Sequence, residues 1–215
     1  MPGVLKLEGT NIATGDGNGA VTINNATLGS AVTVSASVGG TMIFLEKYTA
    51  DNSTTGKVFD LSTYSESFDE YRFVINKLIP ADDNKDLYVR LGSATGSIDS
   101  TSGNYQFAGL QQYYASSAGS NPLADTSLAA YVIDTGNGAG EGMSGEIKMY
   151  GLRDASTWSQ VTTYMTSWYY GNSQELYTEA GIHKVTQDDK AVSFSMNPSG
   201  NWASGTITVY GVRNA

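Results

Sequence analysis

The chain has 215 residues, of which only 15% are charged, and it carries a net charge of −9 from 12 Lys and Arg against 21 Asp and Glu. Soluble chains usually hold about 25% charged residues, and helices place many of them on their wet face, so so little Glu, Lys and Arg argues for sheet and loops. The acidic balance without a basic cluster excludes a groove that tracks phosphates, and the absence of Cys excludes disulfides, zinc-thiolate sites and thiol nucleophiles together.

The opening MPGVLKLEGTNIATG lacks the basic segment and apolar run of a secretory signal, and no stretch reaches the ~18 apolar residues of a membrane span. The expectation is a chain made in a cytosol, with neither membrane nor nucleic acid as partner. Within residues 1–40, the stretch 11–40 is nearly all Gly, Ala, Ser, Thr, Asn and Val and lacks aromatic residues. Ile12, Val21, Ile23, Leu28, Val32, Val34 and Val38 fall in short alternating pairs between Gly or Asn turns, and strands so sparse gain a core only against identical chains or a host surface. This predicts an attachment arm or trimeric stem over 1–40, ahead of a sandwich domain over 41–215.

From Thr41 the strand patterns strengthen. MIFLEKYTA and KVFDLS read as strands, and EYRFVINKLIP as a long one with Tyr71, Phe73 and Ile75 on one face and Arg72, Val74 and Asn76 on the other. After the ADDNKD turn, Leu87, Val89 and Leu91 alternate with Tyr88 and Arg90, which predicts a hairpin with one buried face. Further strands are expected at YQFAGLQQYYA, SLAAYVID, GEIKMYGLR, VTTYMTSWYY, ELYTEAGIH, AVSFSMN and GTITVYGVR. Short aromatic and β-branched segments separated by Gly, Ser, Asn and Asp are the pattern of an all-β fold, an antiparallel β-sandwich of jelly-roll-like kind.

Two segments are nearly the same: SGEIKMYGLRDA at 144–155 and SGTITVYGVRNA at 204–215. They predict equivalent strands in one sandwich, with Ile147 and Met149 matching Ile207 and Val209 on the buried face and Tyr150 and Tyr210 outward or at a rim. Each copy continues with a Gly to end or bulge the strand and an Arg to cap its edge.

Catalytic chemistry finds little support. His183 is the sole histidine and has no GxSxG elbow near it, and HExxH is absent, so neither a serine triad nor a three-histidine metal site is indicated. Asp82, Asp83, Asn84 and Asp86 crowd one turn, but the Gly and bidentate Glu of a calcium loop are missing, and an Asx-rich turn is the favoured reading. The same holds for GDGNG at 15–19. DTGNGAGEG at 134–142 leads into a strand, whereas phosphate cradles open a helix, so it reads as an inter-strand loop. No cofactor is indicated, and no pair of carboxylates stands out for glycosidic cleavage.

The aromatic residues are the better lead. Tyr164, Trp168 and Tyr170 share one strand face at period two, and Tyr113, Tyr114, Trp158 and Trp202 add to them. Such rings stack on sugars or anchor a protein interface. The alternative is that the stripe faces the core, because large aromatics are highly buried on average. The core reading is preferred for Trp168, with recognition expected in the loops 92–104 and 113–127.

The run FDEYRFVINKLIPADDNKDLYVRL, followed by GNYQFAG, SGEIKMYGL and the terminal ASGTITVYGVR, resembles a family of tailed-bacteriophage virion proteins common near tail-fibre genes. The likeness covers 58–215 in outline and departs from the family in the DDNKD turn and the short N-terminal arm. It implies a noncatalytic, homotrimeric β-sandwich, assembled in the bacterial cytoplasm and displayed on the virion, with 1–40 joining it to other virion proteins. Within that resemblance stand a tail-fibre or receptor-binding protein that meets a host-surface glycan or protein, and alternatively a capsid decoration protein. A carbohydrate-active enzyme is the remote third.

Overall fold

The computed structural model describes residues 4–7, 10–15, 21–23, 42–64, 68–113, 120–125, 127–169 and 173–213. The chain divides into a first unit, Met1–Ser37, and a second, Val38–Ala215. In the first, β1 (Val4–Leu7), β2 (Thr10–Gly15) and β3 (Val21–Ile23) form an antiparallel sheet in that order. The GDGNG turn, apart from Gly15, and the later part of the expected arm, 24–40, lie outside the described residues.

The second unit continues with β4 (Met42–Thr49), β5 (Gly56–Asp60), β6 (Glu70–Pro80), β7 (Lys85–Ala94), β8 (Ser97–Ile98), β9 (Tyr105–Tyr113) and β10 (Ser120–Asp125). It closes with β11 (Ala130–Thr135), β12 (Gly142–Tyr150), β13 (Ser159–Tyr169), β14 (Ser173–His183), β15 (Ala191–Asn197) and β16 (Trp202–Val212). There is no α-helix among the described residues, only a 3-10 turn at Leu61–Thr63. Every strand pair is antiparallel. Strands β4-β16-β6-β12-β13-β14-β9-β10 make a long sheet, and β11-β7-β15-β5, with the short β8 on β7, make a shorter one. Among the described residues the two are joined in register at a single position, Thr135 opposite Tyr169.

The inner faces of the two sheets meet as a sandwich, as the alternation of apolar residues requires. Phe73 of β6, in the long sheet, lies 5.5 Å from Phe59 of β5 and 5.2 Å from Phe194 of β15, in the short one, measured between ring centroids. Tyr71, Phe73, Ile75, Leu87, Val89 and Leu91 are all buried, on the faces their period-two spacing assigned. One expectation is corrected here: β6 and β7 do not pair as a hairpin. β6 bonds to β12 and β16, while β7 bonds to β11 and β15, so the turn at 81–84 crosses from one sheet to the other. Alternation specifies a buried face, and a crossing strand satisfies it as well as a hairpin partner does.

The repeated segments become β12 and β16, which flank β6 on its two sides. Ile147 stands opposite Phe73 and Ile207 opposite Ile75, with Met149 and Val209 buried and Tyr150 and Tyr210 half-buried. The shared Ser-Gly dipeptides explain why the copies resemble each other. Gly145 and Gly205 have φ of +148° and +106°, and each coincides with a register shift against β6. Ser144 Oγ accepts a hydrogen bond from Lys77 N–H at 2.9 Å, and a Cβ on Gly205 would stand 2.3 Å from the Lys77 carbonyl oxygen. Ser144 and Gly205 thus meet one bulge in β6 at Lys77, after which Leu78 returns to the core, while a Cβ on Gly145 would stand 2.2 Å from the Tyr164 carbonyl oxygen of β13. The later Gly behaves differently in each copy: Gly151 ends β12, whereas Gly211 continues β16 against the Phe68 ring. Arg153 reaches across to Asp188 at 2.8 Å and to the Leu61 carbonyl at 2.8 Å, and Arg213 lies over the Phe68 ring.

Candidate functional site

Strand β13 decides what the aromatic stripe does. Its inward residues, Val161, Thr163, Met165 and Ser167, are buried, while Tyr164 is 56% exposed and Trp168 37% exposed on the outer face. The preference for a core role for Trp168 is thus overturned. The physical reason lies in the neighbouring strand. Glu175, Tyr177 and Glu179 of β14 point inward, and Ser167 and Thr163 stand opposite Glu175 and Glu179. Polar residues at period two line the core here, so the aromatic positions between them face solvent. Trp158, one residue before β13, is also exposed, whereas Trp202 is fully buried.

The remaining aromatic candidates are placed only in part. Tyr113 is the last residue of β9, in register with Glu175, while Tyr114 and Tyr170 lie outside the described residues. So does much of the 113–127 loop. The 92–104 loop is pinned: Asp99 accepts from Thr101 N–H at 2.8 Å and from Asn104 Nδ2 at 2.6 Å, and lies 3.1 Å from His183 Nε2.

The outer face of β13, β14 and β9 is a flat surface whose rows follow from register. One row is Tyr164, Thr178 and Leu110; the next is Thr162, Ala180 and Ala108; the third is Gln160, Ile182 and Gln106. The small alanines of the middle row leave a groove of ≈ 500 Å³ that lies over the second and third rows, lined by Thr162, Ala180, Ala108, Gln160, Ile182 and Gln106. A second hollow of ≈ 220 Å³ adjoins it between Tyr164, Thr178 and the Glu146–Lys148 pair of β12.

His183 is buried at the end of β14, stacked on Tyr105 with centroids 4.4 Å apart. Its Nδ1 lies 3.0 Å from Asp189, whose carboxylate accepts the Ser159 hydroxyl at 2.6 Å. Burial pushes the imidazole toward neutrality, but Asp189 and Asp99 outweigh it and raise the histidine's pKa. The order Ser–Asp–His–Asp leaves His183 with no nucleophile to activate, so the cluster ties β9, β14 and the 184–190 segment together.

The Asp-rich turn is likewise occupied by protein donors. Asp83 accepts from Asn137 N–H, Asp86 accepts from Tyr131 Oη and Asp134 N–H, and Lys85 stands 3.7 Å from Asp82. The 136–141 segment joins β11 to β12, as an inter-strand loop.

The sequence reading missed the inner polar layer altogether. Glu179 accepts one hydrogen bond, from Tyr131 N–H at 3.2 Å, and its Oε1 has no partner. Burial pushes its pKa up to about 8. Glu175 is also raised by burial; it accepts from Tyr177, which in turn receives a hydrogen bond from Gln111 at 2.9 Å. A sequence signal was present in hindsight of chemistry: ELYTEAG places two Glu on the parity of Tyr177 and Gly181.

Comparison of the chain with protein-family models, curated proteins and solved structures returned no match.

Proposed function

We propose that this chain is a noncatalytic attachment protein of a bacteriophage virion, a homotrimer displayed on the particle that meets a host-surface glycan or protein. The blocks FDEYRFVINKLIPADDNKDLYVRL, SGEIKMYG and SGTITVYG support the family reading. The observation that carries the attachment role is the outer face of β13, where Tyr164 and Trp168 are exposed about 13 Å apart along one strand. Tyr164 keeps more than half of its surface open and Trp168 more than a third, which leaves both rings an edge with which to anchor a partner. Residues 1–40 take the role of joining the sandwich to other virion proteins.

The test is adsorption of the purified protein to cells of the host bacterium. Trp168→Ala is expected to weaken adsorption by tenfold or more, because a central aromatic anchor commonly carries ~2 kcal/mol of binding, while the protein stays folded with a melting temperature lowered by no more than about 8 °C. A wild-type protein that does not adsorb to host cells and is found in hundreds of copies on phage heads would instead place it among capsid decoration proteins.

A further inference from the structure

The outward face of β13, β14 and β9 is set apart by its lack of charge. In a chain of net charge −9, every outward position from Gln160 to Trp168, from Gln174 to Ile182 and from Gln106 to Gln112 is uncharged. The flanking charges on β12 and β6 are held in pairs. Lys148 lies 2.8 Å from Glu146, and Arg72 lies 2.8 Å from Glu70 and 3.9 Å from Glu146. A glycan bearing carboxylate, sulfate or phosphate would meet no cation on these strands, the first along β14 being Lys184 just past its end, and would enter the field of an acidic protein.

What the face offers instead is primary amides and hydroxyls. Gln160, Gln106, Thr162 and Thr178 each donate and accept, which is the capacity of a sugar hydroxyl. Ala180, Ala108 and Ile182 form an apolar floor beside Gln160, Gln106 and Thr162, and Tyr164 and Thr178 line the adjoining hollow, which shares Thr162 with the groove. An apolar floor with amides at its rim complements a pyranose, whose C–H face is apolar and whose edge is ringed with hydroxyls.

We infer that this groove is a subsite for an uncharged glycan of neutral hexose or N-acetylhexosamine units, an inference that rests on reading the face as the attachment surface. One unit lies on Ala180 and Ala108 with its hydroxyls on Gln160 and Gln106, and a neighbouring unit stacks on Tyr164. A second copy of this chain is the rival occupant. Interfaces between copies bury about 800 Å² per partner around an apolar core, whereas here Leu110, Tyr164 and Trp168 are separated by Thr and Gln around a depression.

The full-length protein is tested on immobilised glycans of both kinds: chitohexaose, maltohexaose, mannan and galactan as uncharged probes, polygalacturonate and dextran sulfate as anionic ones. Three variants are compared with wild type: Ala180→Lys, which fills the groove with a cation; Gln160→Ala, which removes one amide; and Ala155→Lys, the same charge change on an exposed turn. The expected result is binding to an uncharged glycan that is unchanged between about 50 and 500 mM salt. Ala180→Lys weakens it at least tenfold and Gln160→Ala about threefold or more, with Ala155→Lys unaffected and melting temperatures retained. Binding to the anionic probes that fades with salt, or adsorption to host cells that neither groove variant weakens, overturns the inference and leaves the attachment reading standing. Failure to bind any glycan together with failure to adsorb to host cells overturns both. So does an Ala180→Lys protein whose altered property is its assembly state, since the face would then be a contact between copies.

Discussion

Glu179 is the residue whose chemistry is most out of keeping with its surroundings. Gly109 stands beside it, where a Cβ would come within 2.5 Å of the Glu179 side chain, so the sheet has made room for a carboxyl group and then buried it. With burial pushing its pKa up to about 8, the folded state holds a proton that an unfolded Glu releases near pH 4.3. Between those values the native state binds more protons, so the stability contributed by the neutral carboxyl is whole below the unfolded value and is lost as pH rises through about 8. Glu179→Gln keeps a neutral group of the same shape at every pH. The wild-type melting temperature is expected to fall from pH 5 to pH 9 more steeply than that of the variant, with the variant higher by about 5 °C at pH 9, from linkage of roughly 2 kcal/mol. His183, also raised, adds a fall of the same sign to both proteins, so the difference between the two curves belongs to Glu179. Parallel curves in a circular-dichroism melt would show that the carboxyl is not the proton site.

At the scale of the strand, the bulge shared by β6, β12 and β16 is the feature on which the long sheet depends. Gly205 has φ of +106° and a Cβ there would stand 2.3 Å from the Lys77 oxygen and 2.5 Å from Leu78 Cα, both backbone atoms that cannot step aside. Gly205→Ala is expected to cost about 2–4 kcal/mol by urea denaturation, against no more than ~0.5 kcal/mol for Ser204→Ala at the exposed neighbouring position. Equal costs would remove the bulge from the account of the repeat. The same strands show what was legible in the sequence. Period-two alternation identified the buried faces of β6, β7, β12 and β16 residue by residue, because each is simply apolar on one side. It could not say that β6 and β7 sit in opposite sheets, since alternation reports a face and not a partner. In β13 it misled, because Thr163 and Ser167 face a polar layer supplied by β14, and a polar inner row makes the aromatic outer row look like the core. Trp202 and Trp168 are the same residue type at opposite extremes of burial, and only the neighbouring strands distinguish them.

For the whole molecule, the separation of the chain at Ser37 and the closure of the second unit around one apolar cluster set out what each part requires. The cluster runs from Phe59 to Val209, with Ile43, Leu45 and Tyr48 packed against it, and every one of these residues belongs to the second unit. A chain of residues 41–215 therefore retains all of that cluster and is expected to fold with a single cooperative transition. The described residues of the first unit have the opposite character, three strands of 4, 6 and 3 residues. Sheets that small are marginal in water unless their apolar face is covered. A threefold assembly of full-length chains would provide such cover, so the proposed trimer is expected to make its contact through residues 1–40. Light scattering of the full-length protein at micromolar concentration is expected to give three times 22.8 kDa, while residues 41–215 run as a folded monomer. A monomeric full-length chain would remove the trimer from the proposed function, and a trimer formed by 41–215 alone would move the contact between copies onto the sandwich. In that case the contact is expected on the uncharged face of β13, β14 and β9, and the mass of the Ala180→Lys protein reports on it directly.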